Sequence, residues 1–92
     1  MAIPAFEDQP PTGDHVTTYD ERHLVTYLRL LDANADKADW KEAVSIIFEL
    51  DVVVDPARAK RIHDSHLARA LWMTRTGYRD LLAKPRGQSP FR

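Results

Sequence analysis

Apolar residues recur at helical spacing in three stretches of the chain. The first stretch follows Thr18-x-x-Glu21, a pair typical of a capping box, in which each side chain bonds the backbone amide of the other residue. The apolar residues that come next follow the i, i+3, i+4, i+7 spacing of one helix face: Leu24, Tyr27, Leu28 and Leu31. This pattern predicts a helix over about residues 19–33, ending in the polar stretch 34–38.

The second stretch begins at Asp39, which precedes Glu42 by three residues and again marks a helix start. The apolar stripe that follows consists of Trp40, Ala43, Val44, Ile47 and Leu50. It predicts a helix over about residues 40–50. Ile46 and Phe48 widen its apolar side, so we expect it to be the most buried element.

The third stretch follows a β-branched run at residues 52–54, which we interpret as an extended turn. Asp55-Pro56 predicts a helix start, because aspartate caps the free amides and proline suits the first helical position. The helical pattern then continues to Ala83, interrupted only by Gly77. It fits one long helix or two, with residues 64–65 and 76–77 as the alternative breaks.

The order of these elements predicts a small all-α domain of about four helices over residues 18–83. A helix, a stretched turn and a long basic helix are typical of a helix-turn-helix variant with an extended turn. Residues 1–17 are acidic and contain three prolines, so we expect a flexible arm, and residues 84–92 predict a flexible basic tail. Without cysteine the domain forms no disulfides.

The chain lacks several features of exported, membrane and enzymatic proteins. Its N-terminus has no cationic and apolar blocks of a secretory signal, and no apolar run approaches the ~20 residues that cross a bilayer. Three glycines form no phosphate-binding loop. We therefore expect a cytoplasmic monomer without a cofactor.

The histidines allow a metal hypothesis, because His63 and His66 are three residues apart on one predicted helix. No third ligand follows at a defined spacing, so we expect no metal. Ser65 beside His66 is also unsuited to act as a nucleophile with its base, because neighbouring side chains on a helix diverge. The sequence thus predicts a protein that is not an enzyme.

Charge is distributed unevenly between the two halves of the chain. Residues 1–55 carry a net charge of −8, and residues 56–92 carry +7. One hypothesis is a direct DNA reader whose third helix contacts phosphates through its basic residues, namely Arg58, Lys60, Arg61 and Arg75. However, four acidic residues at the same end would repel phosphates: Glu42, Glu49, Asp51 and Asp55. We therefore favour a protein partner, with weak or no DNA binding.

Three segments resemble one family of regulators from proteobacterial conjugative elements. They are Arg-Leu-Leu-Asp-Ala at 29–33, Asp-Trp-Lys-Glu-Ala at 39–43 and the run His66-x-x-Arg69-Ala70-x-x-Met73-x-x-x-Gly77-Tyr78-Arg79-x-Leu81-Leu82. The family is the extended-turn helix-turn-helix domain shared by FseA-type transcriptional activators and QseM-type antiactivators. The likeness covers about residues 20–83.

The resemblance implies a function as well as a fold. In the activators this domain follows an N-terminal domain of another type, binds DNA through a basic face and docks on the N-terminal domain. The antiactivators resemble the second part alone, carry an acidic face, and capture the activator's N-terminal domain instead. This chain looks like the antiactivator form. The matching positions and their neighbour imply these partner-binding residues: Arg69, Trp72, Met73, Tyr78 and Arg79.

Overall fold

The computed structural model of the protein describes residues 5–77. This part of the chain contains four α-helices and no strand, which confirms the predicted all-α fold. The helices are α1 (Thr18–Arg22), α2 (Leu24–Ala35), α3 (Trp40–Ile47) and α4 (Pro56–Trp72), and α4 passes into a π-helical turn at Met73–Gly77.

The first predicted helix consists of two helices, and it begins one residue earlier than predicted. The capping box is formed by Thr17 and Asp20, not by Thr18 and Glu21. The Asp20 amide donates to the Thr17 hydroxyl, and the Thr17 amide donates to the Asp20 carboxylate. His23 separates α1 from α2, and its own amide bonds the carbonyls of Tyr19 and Asp20.

Helix α2 packs through a face that differs from the predicted one. Tyr27 and Leu30 are 2% and 1% exposed, whereas Leu24 and Leu28 are 37% and 61% exposed. The predicted stripe is wrong at these two leucines. Because α2 is apolar on more than one side, the spacing alone could not identify the face that α4 covers.

A Schellman motif ends α2, inside the predicted polar stretch. The Ala38 amide donates to the Ala33 carbonyl, and the Lys37 amide donates to the Asn34 carbonyl. Lys37 adopts the left-handed conformation with a φ of 57°. Glycine usually occupies this position, so the lysine is conformationally strained here.

Helix α3 contributes most of its apolar face to the core, as predicted. Val44, Ile47 and Phe48 are buried and pack with Leu30 of α2 and Ile62 of α4. Ile46 is 56% exposed and therefore does not widen the buried side, as the sequence suggested it would. A second buried cluster forms beside the first: Val16, Tyr27, Ala70 and Met73.

Helix α4 starts as predicted and is the longest helix of the described residues. The Asp55 carboxylate accepts a hydrogen bond from the Arg58 amide at 3.1 Å, and Pro56 occupies the first turn. The helix continues through residues 64–65, so it does not break there. The alternative break at residues 76–77 falls within the π-helical turn.

The N-terminal segment, which we define as residues 5–16, packs against the helices. The sequence predicts a flexible arm here, but Val16 and Pro10 are buried and the Phe6 ring lies 4.9 Å from the Phe48 ring. The segment is not helical, as expected. It is held by side-chain contacts with α4 and with Phe48, which are remote in sequence.

None of the helices in the described part of the chain combines the length and apolar character needed to cross a membrane.

Candidate functional site

An open groove of about 770 Å³ lies beside the connection between α3 and α4. Glu42, Glu49 and Asp51 line it, so the structure brings together three of the four acidic residues predicted to oppose DNA. Asp55 does not line this groove, because its carboxylate caps α4. The apolar part of the lining consists of Leu50, Val52, Val53 and Pro56. Lys41 also lines the groove, so three carboxylates face one cation, and the net negative charge of the lining disfavours phosphates.

The basic residues in the first turns of α4 are paired with carboxylates of the same chain. Arg58 lies 3.0 Å from Asp8, and Arg61 lies 3.5 Å from the other oxygen of that carboxylate. Lys60 lies 3.1 Å from Asp64. A DNA-reading helix presents such cations to phosphates, but here each one already has an anionic partner.

Arg69 is an internal residue rather than a surface contact. It is 5% exposed, and its guanidinium forms a forked pair with Asp20 at 2.9 Å and 2.7 Å. Two further N–H groups donate to the carbonyls of Gly13 at 2.7 Å and His15 at 2.9 Å. The resemblance implied that Arg69 binds the partner. In this fold it anchors the N-terminal segment instead.

Asp20 is fully buried and accepts hydrogen bonds from three residues. Besides Arg69, the Tyr27 hydroxyl donates at 2.8 Å and the Thr17 amide at 2.9 Å. Burial by itself would raise the pKa of Asp20, but the hydrogen bonds from Arg69, Thr17 and Tyr27 outweigh burial and hold the pKa below its usual value. The carboxylate is therefore stabilised in its charged form.

Trp72 and Met73 are adjacent in sequence but face different grooves. The Trp72 ring stacks 3.9 Å from the guanidinium carbon of Arg69 and borders a groove with Pro10 and Pro11. Met73 is 8% exposed and lines a groove on the other side. The last two predicted partner-binding residues, Tyr78 and Arg79, lie outside the described residues.

The groove at Met73 is lined almost entirely by apolar side chains. We call it the leucine groove and define it by Leu24, Leu28 and Leu31 of α2 together with Met73. Its volume is about 390 Å³. Leu28 is 61% exposed, and the neighbouring Val25 is 69% exposed. A contiguous exposed apolar surface of this kind is typical of a protein-binding site.

The sequence indicates this groove through the number of apolar residues in α2 rather than through their spacing. The predicted stripe treated Leu24 and Leu28 as core residues, although α2 carries more apolar residues than one buried face requires. The excess of apolar residues around the helix is the indication that a second face exists.

His66 and His63 form hydrogen bonds with neighbouring groups of the same chain. His66 is fully buried; its Nδ1 donates to the Ile62 carbonyl at 2.8 Å, and its Nε2 accepts from the Tyr19 hydroxyl at 2.7 Å. Burial lowers the pKa of His66 more than its bond to the Ile62 carbonyl raises it. His63 contacts the Asp64 carboxylate at 2.8 Å. Among residues 5–77, no three potential ligands gather into a metal site.

Ser65 does not form a nucleophile–base pair with His66. The Ser65 hydroxyl donates to the Asp8 carbonyl at 3.1 Å. The nearer His66 nitrogen, Nδ1, uses its proton for the Ile62 carbonyl, so it offers no free base to the hydroxyl.

Comparisons with protein-family models and with curated proteins find no match to this chain.

Proposed function

We propose that the protein is an antiactivator that binds the N-terminal domain of an FseA-like transcriptional activator and thereby blocks activation of excision and transfer genes of an integrative and conjugative element. Quorum sensing would set when the activator is released. The proposal includes a cytoplasmic location, because its target acts on promoter DNA.

One observation carries the choice of protein over DNA as the ligand. The cations of the first turns of α4 are paired with Asp8 and Asp64, while Glu42, Glu49 and Asp51 line the groove beside the turn. Non-specific DNA affinity depends on the number of phosphates that lysine and arginine neutralise. A helix-turn-helix surface with this charge pattern is poorly suited to a duplex.

The leucine groove is the proposed docking face. It contains Met73, one of the residues that the resemblance implies for partner binding, and the implied positions Tyr78 and Arg79 follow within six residues. Large exposed side chains at Leu28 and Val25 supply the apolar contact area that stabilises protein complexes. Arg69 contributes indirectly, by fixing the helices that form the groove.

Competition sets a demand on the affinity. In the activator, the domain that this protein mimics is tethered to its own N-terminal domain, and tethering gives an effective concentration on the order of mM. The antiactivator therefore requires either a high cellular concentration or a higher affinity for the N-terminal domain than the tethered domain has.

The test is calorimetric titration of the purified protein with the isolated N-terminal domain of an FseA-like activator. We expect a 1:1 complex, and Leu28→Asp should raise its Kd at least about tenfold, because a buried charge at a central contact is costly. Val53→Asp is the matched control: Val53 is 88% exposed and lies at the acidic groove, so its substitution should leave Kd unchanged.

The free energy of unfolding of the same variants tests whether another part of the chain covers the groove. An exposed Leu28 predicts a change within about 0.5 kcal/mol on substitution, as for Val53. A loss of more than about 2 kcal/mol for Leu28→Asp alone would mean that the chain itself covers this face, and the docking assignment would then be rejected.

The direct DNA reader is tested in parallel by fluorescence anisotropy with promoter DNA at low salt. Saturable binding with a steep salt dependence would favour it, and weak binding without that dependence is the outcome expected for the antiactivator.

A further inference from the structure

One side of α4 is covered by a non-helical segment of the same chain. Five residues at i+3 and i+4 spacing form this side, which we call the α4 face: Arg58, Arg61, Ser65, Ala68 and Trp72. Residues 6–12 cover it. The Phe6 ring lies against Phe48 and His66, Asp8 reaches Arg58 and Arg61, and residues 10–12 border the groove at Trp72. The arrangement is that of a peptide bound in a groove.

The contacts that hold the segment on the α4 face each involve a specific group of the segment. The Asp8 carboxylate receives Arg58 Nε at 3.1 Å to both oxygens, and Arg61 approaches the same carboxylate. Its carbonyl accepts from the Ser65 hydroxyl at 3.1 Å. Two residues before it, the Phe6 ring meets the Phe48 ring edge-on, and two residues after it Pro10 is buried. The pattern is aromatic-x-Asp-x-Pro.

The ion pairs that hold the segment are accessible to solvent. The side chains of Asp8, Arg58 and Arg61 are 41%, 42% and 51% exposed. Ion pairs between exposed groups contribute little to stability. The ionic contacts at Asp8 therefore add little to the hold that the contacts of the partly buried Phe6 and the buried Pro10 have on the segment.

We infer that the α4 face is a binding surface for an extended acidic peptide of the aromatic-x-Asp-x-Pro type, and that residues 6–12 occupy it in cis and regulate access to it. A competing peptide must first displace this segment, which reduces its apparent affinity by the fraction of molecules in which the face is open. The surface extends along α4 from Arg58 to Trp72, and none of its five residues lines the leucine groove.

The test uses the full chain and a fluorescently labelled peptide with the sequence of residues 5–13, AFEDQPPTG. In the variant Phe6→Ala/Asp8→Lys, the segment loses its aromatic contact and places a cation against Arg58. By anisotropy, this variant should bind the peptide at least about tenfold more tightly than the wild type. Adding Arg58→Glu and Arg61→Glu should abolish the gain.

Asp36→Lys is the matched control: it makes the same charge change at an exposed residue at the end of α2, and it should leave the peptide affinity unchanged. No gain in a Phe6→Ala/Asp8→Lys variant that circular dichroism shows to be folded would overturn the inference. Tighter binding of that variant to a 20-base-pair duplex than to the peptide would also overturn it, in favour of a nucleic-acid surface.

A second measurement covers the case in which the double variant does not fold. The wild type is titrated with the unlabelled peptide to mM concentration, and the indole N–H resonance of Trp72 is followed by NMR. A saturable shift of this resonance supports the α4 face, whereas no shift refutes it. The activator domain takes no part in either experiment, so this inference and the proposed function can fail separately.

Discussion

Substitution of Asp20 by alanine should destabilise the protein more than any change at its surface. Asp20 is fully buried, and it is the counter-ion of the Arg69 guanidinium, which is 5% exposed. Asp20→Ala leaves that cation in the interior without a counter-ion, in contact with the carbonyls of Gly13 and His15 and the Trp72 ring. Removing one member of a buried ion pair typically costs about 3–5 kcal/mol.

This loss is large compared with the total stability of such a chain. Folded proteins are stabilised by about 0.05–0.15 kcal/mol per residue, which for 92 residues amounts to roughly 5–14 kcal/mol. We expect Asp20→Ala to lower Tm by at least about 12 °C, since 1 kcal/mol corresponds to 4–8 °C in a domain of this size. Urea unfolding measures the free energy of unfolding and thermal unfolding measures Tm, both followed by circular dichroism.

A double-mutant cycle separates the ion pair from the volume of its side chains. Arg69→Met alone leaves the Asp20 carboxylate buried without its cation and should also be strongly destabilising. The double variant Asp20→Ala/Arg69→Met removes both charges, so it should lose about 2–3 kcal/mol less than the sum of the single variants. Asp64→Ala is the control, because it breaks an exposed pair with Lys60 and should cost about 0–1 kcal/mol.

The pH dependence provides an independent check on the same residue. The folded protein holds the pKa of Asp20 below its ordinary value of 3.8. A carboxyl group of this kind stabilises the fold above its unfolded pKa, and the contribution is lost as the pH falls through the folded pKa. Asp20→Ala should lack this part of the acid destabilisation. The reasoning is refuted if Asp20→Ala is no more destabilising than Asp64→Ala.

Three further predictions concern stability. The lowered pKa of buried His66 means that the wild type should lose free energy of unfolding as the pH falls below about 6.5, whereas His66→Gln should show a weaker dependence in urea titrations at pH 7.5 and 5.5; equal slopes would contradict this. Lys37→Gly should raise the free energy of unfolding by up to about 1 kcal/mol, and Tm with it, because glycine adopts the left-handed conformation without strain. A lower Tm would argue against the Schellman geometry. Leu30→Ala should cost about 2–5 kcal/mol in chemical denaturation and Val53→Ala less than about 0.5 kcal/mol, and similar costs would contradict the assigned core.

The sequence predicted the elements whose signals are local. The start of α4 at Asp55-Pro56, the apolar face of α3 and the end of α2 within residues 34–38 are all found in the structure. Each depends on residues within about five positions of one another, because caps and helix hydrogen bonds connect near neighbours. The all-α class follows from the same short-range periodicity.

The tertiary structure alone decided how Arg69, Asp8 and α2 are used. Arg69 finds its partner 49 residues away in Asp20, and Arg58 meets Asp8 across 50 residues, so no spacing rule could identify either pair. Because of these contacts, Arg69, which was predicted to bind the partner, is buried, and residues 5–16, which were predicted to be flexible, pack against the helices. The choice between the faces of α2 likewise required the position of α4. Periodicity shows that a helix has apolar sides, but only the neighbouring element determines which side is buried.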